Sequence, residues 1–238
     1  IVMLSLFKNR IKNNIKQRSD SVFVKAFLSF IDRDHGGILL SFIILLRAGE
    51  FLLSTMSSAF MVDLGIKLHI GWITAGIGLP ASIAGALLGG WLISKFTLKK
   101  MMLPFILAQN LTNLLYMVIA LIFSPLIIQN AGNSNPIPIG LVNLISVAAV
   151  HGFDQFSGGL GTSVLMTFLM RTCFGEFKAA HYAIGSGLMN LSGLFTGIIS
   201  GILAHLLGYG YFFGLSFLVA IPGMFLAFPA LKAIQGSE

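Results

Sequence analysis

The sequence predicts an all-α membrane protein: six transmembrane helices built as two units of three that run in opposite senses. The first observation is six apolar stretches, at about residues 37–62, 70–94, 101–124, 139–170, 179–207 and 209–231. Each exceeds the roughly 20 helical residues that cross ~30 Å of hydrocarbon. Only 10% of the 238 residues are charged and 56% are apolar, whereas soluble domains are about 25% charged. The second observation is how the chain sorts its basic residues when threaded through alternating spans. Lys8, Arg10, Lys12, Lys16, Arg18, Lys25, Arg33, Lys95, Lys99, Lys100, Arg171, Lys178 and Lys232 fall on one side, and Lys67 alone falls on the other. Thirteen against one is a positive-inside bias that places both termini in the cytoplasm.

The third observation is a recurrence of features three spans apart. The first span carries Arg47-x-x-Glu50 and the fourth His151-x-x-Asp154, each a basic or titratable group one turn from a carboxylate. The second carries Ala81-xxx-Gly85-xxx-Gly89 and the fifth Gly193-xxx-Gly197-xxx-Gly201, small residues every four positions where another helix can approach closely. An odd number of spans per unit inverts the second unit against the first, an inverted repeat of the kind common in secondary transporters.

In chain order, residues 1–6 (IVMLSL) are apolar and begin with Ile1 in place of methionine, so they read as the end of a preceding transmembrane helix in a fragment of a longer chain. Residues 7–36 form a cytoplasmic basic loop. Within it SVFVKAFLSFID spaces Phe23, Phe27 and Phe30 along one face, either an interfacial amphipathic helix or a solvated linker. The six-helix bundle occupies 37–232, and 233–238 are a cytoplasmic tail. The fourth span is too long for one upright crossing, so it tilts or continues past the bilayer. The segment GGWLISKFTLKK after the second span resembles the glycine-plus-basic loop of major facilitator transporters, with Ser94 near the place of the usual acid.

Arg47, Glu50 and Asp154 sit inside otherwise uncharged spans. A charge at membrane depth costs about 2.5–3.5 kcal/mol on insertion scales, so such residues point to function. Glu50 and Asp154 are the candidates for taking and releasing protons, because burial favours the neutral acid and a nearby cation the carboxylate. For Glu50 the structural alternative is a static pair with Arg47, easily made at i, i+3. Arg47, ten residues into its span and ~15 Å deep, has a guanidinium fork suited to a carboxylate or phosphate. His151 could relay a proton, oppose Asp154 or simply be hydrogen-bonded inside the bundle, and Gln155 could bond sugar or peptide groups. Asn110, Asn113, Asn143, Asn190 and Tyr182 must each find a partner, most of them on neighbouring helices.

Other classes find little support. No aromatic-basic interleaving points to nucleic acid. Cys173 is the single cysteine, so no disulfide forms within the chain. No histidine cluster has metal-ligand spacing, and no metalloprotease, hydrolase or P-loop motif occurs, so neither a metal, a cofactor nor an enzyme activity is expected.

From Asp154 the chain reads DQFSGGLGTSVLMTFLMRTC, then FKAAHYAIGSGL, then GYGYFFGLSFLVAIPGMFLAF. This resembles the muropeptide permeases of the AmpG type in the major facilitator superfamily. The match rests on an acid before a GG(M/L)GT run, here Asp154 and Gly158, Gly159, Leu160, Gly161 and Thr162. It continues in an F-x-A-x-x-Y-A segment, here Phe177, Ala179, Tyr182 and Ala183. Arg47-Ala48-Gly49-Glu50 fits the family's basic residue two before Gly-acid, while Asp154 stands where glutamate is common and Gln155 and Ser163 differ from frequent choices. The resemblance spans about residues 22–232. It implies the C-terminal half of a twelve-helix fold, a missing N-terminal six-helix half, and import of anhydromuropeptides (amino-sugar peptides from the cell wall) across the bacterial inner membrane, driven by the proton gradient without a cofactor.

Together these readings assign proton coupling to Glu50 and Asp154 and solute contact to Arg47, His151 and Gln155. The alternatives are a major facilitator transporter of another solute, such as a drug, a peptide or a nucleotide-linked compound, and a non-transporting membrane scaffold.

Overall fold

A computed structural model describes residues 22–31, 36–130, 137, 139–173 and 175–235. The expected helix end at 1–6, most of the basic loop and the last three residues of the tail lie outside these described residues. Within them the chain forms α1 (Val22–Ile31), α2 (Gly36–Asp63), a 3-10 turn (Lys67–His69), a π-helical stretch (Trp72–Gly78), α3 (Leu79–Phe96), α4 (Leu98–Ile122), α5 (Ser124–Asn130), α6 (Leu141–Thr172) and a long final helix, Lys178–Gln235. That last helix breaks at Gly208, whose φ of 73° and ψ of 157° lie outside any helix and are open essentially to glycine alone. Its arms are α7 (178–207) and α8 (209–235).

Four segments are long and apolar enough to cross a membrane: Gly36–Asp63, Lys67–Phe96, Leu98–Ile122 and Lys178–Ala233. The fourth holds 56 residues, about 84 Å if straight, and the break at Gly208 folds it in two. α6, at 32 residues, is not among the four, because His151, Asp154, Gln155 and Ser157 lower its hydropathy.

Two apolar clusters lie one above the other. The first joins Leu39, Phe42, Ile43 and Leu46 of α2 to Ile93, Met102, Ile106, Phe168, Met189 and Met224. The second joins Leu53, Phe60 and Met61 of α2 to Ile73, Tyr116, Ala120, Val147, Ala204, Phe212 and Phe213. Followed through both clusters, α2, α4 and α7 run from the first to the second, whereas α3, α6 and α8 return. Lys95, Lys99, Lys100, Arg171, Lys178 and Lys232 all lie at the first cluster's end, and Lys67 lies at the other.

The small-residue ridge of α3 is packed as its spacing predicts. A Cβ on Gly85 would strike the carbonyl of Phe156, and one on Gly159 the backbone of Ser82 and Ala86, so α3 and α6 meet backbone to backbone. The corresponding ridge on α7 differs. A Cβ on Gly193 would sit 3.2 Å from the Phe51 ring, but Gly197 and Gly201 face open space among the described residues. Ahead of α3, Pro80 lacks the N–H that would close a normal turn onto Gly76, and the chain widens there into the π-helical stretch, with Leu79 N–H bonded to the Thr74 carbonyl. α1 packs Phe30 against Leu40 and Ile184.

Candidate functional site

Polar side chains occupy the level between the two apolar clusters. On α2, Arg47 and Glu50 fall between Leu46 of the first cluster and Leu52 of the second. On α4, Gln109, Thr112 and Asn113 fall between Ile106 and Tyr116, and on α6 Asp154 falls between Ala148 and Leu160. Three helices thus bring their polar residues to one height, although those residues lie 59 and 42 positions apart along the chain.

Glu50 is the hub. Its Oε2 accepts from Arg47 Nη1 and from Gln109 Nε2. The Arg47 and Glu50 side chains are 15% and 23% exposed, so the ion pair is largely withdrawn from surroundings that could solvate it. Arg47 also lies 5.2 Å from the centre of the Phe51 ring, and its Nη1 is 3.5 Å from Thr162 Oγ1. The glycine run of α6 serves this geometry directly. A Cβ on Gly161 would overlap the Gln109 amide, so glycine there lets Gln109 reach Glu50.

Asp154 is held by α4 rather than by a cation. Thr112 Oγ1 is 2.7 Å from Asp154 Oδ1 and 2.6 Å from the Gln109 carbonyl. Gln155 Nε2 is 3.5 Å from Asp154 Oδ2. One turn away, His151 Nδ1 is 2.8 Å from the Tyr116 hydroxyl, and both residues are buried. A Cβ on Gly78 would sit 2.9 Å from His151 Nε2, so the π-helical stretch closes over the other side of the imidazole.

These groups enclose a cavity of about 180 Å³ lined by Arg47, Glu50, Gln109, Asn113, Asp154 and Gln155, among others. Four of the five residues singled out from the sequence therefore share one cavity. His151 does not line it: its partner is Tyr116, not Asp154 or the open space. Thr162 was named only as the end of the glycine run; Gln109, Thr112 and Tyr116 were not singled out. The signal of these three is the string Gln109-Asn110-Leu111-Thr112-Asn113-x-x-Tyr116, in which 109, 112, 113 and 116 share a helix face. Asn110 instead bonds back to the Ile106 carbonyl at 2.8 Å. A second cavity, of about 450 Å³, opens near the Gly208 bend, where Tyr209 donates to Asp63 at 2.6 Å. Among the described residues no group of three or more His, Cys, Asp or Glu side chains could hold a metal ion.

No protein-family model matches the chain. It is 25% identical over 221 residues to the anhydromuropeptide permease of Escherichia coli K12, covering 91% of this chain and 41% of that protein. A Rickettsia typhi protein named as a transporter, AmpG 2, is 23% identical over 238 residues, 99% of this chain and 53% of its own length. A Rickettsia bellii protein named as transporter AmpG 1 is 24% identical over 232 residues. These names are those of permeases and transporters, not of enzymes. The chain spans about half the length of the curated relatives it matches. With its long apolar helices it is a multi-pass membrane protein, similar along most of its length to the AmpG-type permeases.

Proposed function

We propose that the chain is the C-terminal, six-helix half of a proton-coupled transporter that imports anhydromuropeptides across the bacterial inner membrane by alternating access. In this reading α2–α4 and α6–α8 are the two inverted units, and a second set of six helices faces them across a central path. The basic end of the bundle lies in the cytoplasm. The observation that carries the reading is the cavity holding Arg47, Glu50 and Asp154 midway between the apolar clusters, in a chain similar to a permease of that name.

The contacts of Thr112 support a proton on Asp154. A hydroxyl has one hydrogen to give. Two oxygens lie within 2.7 Å of it, and the Gln109 carbonyl has no hydrogen of its own. Both contacts are hydrogen bonds at once when Thr112 donates to the carbonyl and a protonated Asp154 donates to Thr112. Once that proton leaves, Thr112 can give its hydrogen to the carboxylate only by withdrawing it from the Gln109 carbonyl, which ties the protonation of α6 to how α4 holds it. Glu50, bonded by two donors, is suited to the charged form in this conformation. Arg47 and Gln155 contact the solute, and His151 acts at one remove by fixing Tyr116 beside Asp154.

Uptake of labelled anhydromuropeptide by cells producing the full-length protein tests this. Uptake should collapse with a protonophore and be lost in Asp154→Asn, with the variant still inserted. Uptake indifferent to both would remove proton coupling. Proton-dependent uptake of a different solute, with none of muropeptide, would replace the substrate.

A further inference from the structure

Asn113 lines the cavity and is 2% exposed, yet its Nδ2 has no hydrogen-bond partner among the described residues. Arg47 Nε, in the same cavity wall, is likewise buried and unpartnered. The contrast with Asn110 is informative, because that side chain satisfies itself on its own helix. A buried donor left open is unfavourable unless something that enters the site accepts from it.

The remaining groups limit what can enter. The positive charge of Arg47 is already matched by Glu50, so a ligand carboxylate here would add unmatched negative charge next to Asp154. The site has donors to give, in Asn113 Nδ2 and Arg47 Nε, and carboxyl oxygens that accept, in Glu50 and Asp154. A neutral group with one acceptor and one donor side by side meets both needs, and an amide is such a group. The volume of about 180 Å³ is smaller than the roughly 300–1,000 Å³ of sites that enclose a drug-sized molecule. The cavity therefore suits one arm of a ligand.

We propose that Asn113 is a specificity-determining contact: its Nδ2 donates to the carbonyl oxygen of a ligand amide, whose N–H is accepted by a carboxyl group of the same cavity. The amide is either the acetamido group of an amino sugar or a peptide bond. This inference rests on the transport reading above and names the group that the site reads.

The test is calorimetric binding to the purified full-length protein. N-acetylglucosamine against glucose isolates the acetamido group, glycylglycine against glycine isolates the peptide bond, and glucuronate supplies a carboxylate. On the wild-type protein the amide-bearing member of one pair should bind at least about tenfold more tightly than its counterpart, the size expected when one buried donor gains or loses its partner. Glucuronate should bind no better than glucose. The preference should vanish in Asn113→Leu and Asn113→Ala, two variants of different size so that one failure to fold does not decide the matter. No preference in either pair on the wild-type protein overturns the proposal, as does a preference that survives in a folded variant or tighter binding of glucuronate than of N-acetylglucosamine. Anhydromuropeptide titrated separately keeps the two readings apart. Amide preference without muropeptide binding sinks the substrate assigned above, and muropeptide binding without amide preference sinks this inference.

Discussion

Gln109 reaches Glu50 because residue 161 has no side chain. Gly161→Ala should displace the amide, leave Glu50 with Arg47 alone and lower uptake at least about tenfold, which corresponds to about 1.4 kcal/mol. Protein in the membrane should be close to wild-type amounts, and uptake per inserted molecule is the readout. The Arg47–Glu50 pair gives a second expectation at this scale. Removing one member of a withdrawn ion pair strands the other's charge, whereas removing both does not. Arg47→Met should therefore lower the melting temperature in detergent, and Arg47→Met with Glu50→Gln should recover most of the loss. Additive losses in the double variant would contradict the pairing. Charged residues in apolar spans stand out in the sequence, so Arg47, Glu50 and Asp154 were legible there. Gln109 and Thr112 were not, because uncharged polar residues are common in membrane helices and only the packing of α4 against α2 and α6 shows which of them faces inward. His151 stood out by its spacing to Asp154, but spacing on one helix cannot reveal that Tyr116 on another takes its ring nitrogen.

The turn between α3 and α4 is a single residue, Thr97, with φ 78° and ψ 149°. Backbone in that region is strained for any side chain and more so for a β-branched one. Thr97→Gly should raise stability by about 1 kcal/mol, measured as a higher denaturation midpoint in detergent. An unchanged or lower midpoint would mean that the surrounding contacts already absorb the strain. The small-residue ridge on the second span announced a close helix contact, and α3 makes it with α6. The same pattern on the fifth span announced another, yet Gly197 and Gly201 of α7 remain open among the described residues. Spacing identifies a surface that allows close approach, but it does not say whether a helix of the same chain fills it. Element boundaries shifted for local reasons: Pro80 set the π-helical stretch, and the polar residues of α6 kept it off the set of strongly apolar helices.

At the scale of the molecule, the sorting of basic residues and the alternation of helices between two clusters describe one axis. Single cysteines placed at Lys67 and at Lys99 should be labelled by an impermeant thiol reagent from opposite faces of the membrane, in a background with Cys173 replaced. Labelling of both from one face would break the topology. The periodic and compositional signals made the helical membrane architecture legible from sequence, because crossing hydrocarbon demands long apolar helices whatever their order. The assembly of the cavity was less legible, because it depends on which helices become neighbours.

The most direct test of the central claim separates solute passage from proton coupling. The full-length protein in liposomes is assayed twice with labelled anhydromuropeptide, once for exchange against unlabelled solute on the inside and once for accumulation driven by an imposed pH gradient. Asp154→Asn should retain exchange and lose gradient-driven accumulation. Equal loss of both, or accumulation as in the wild-type protein, would contradict the assignment of the coupling proton to Asp154.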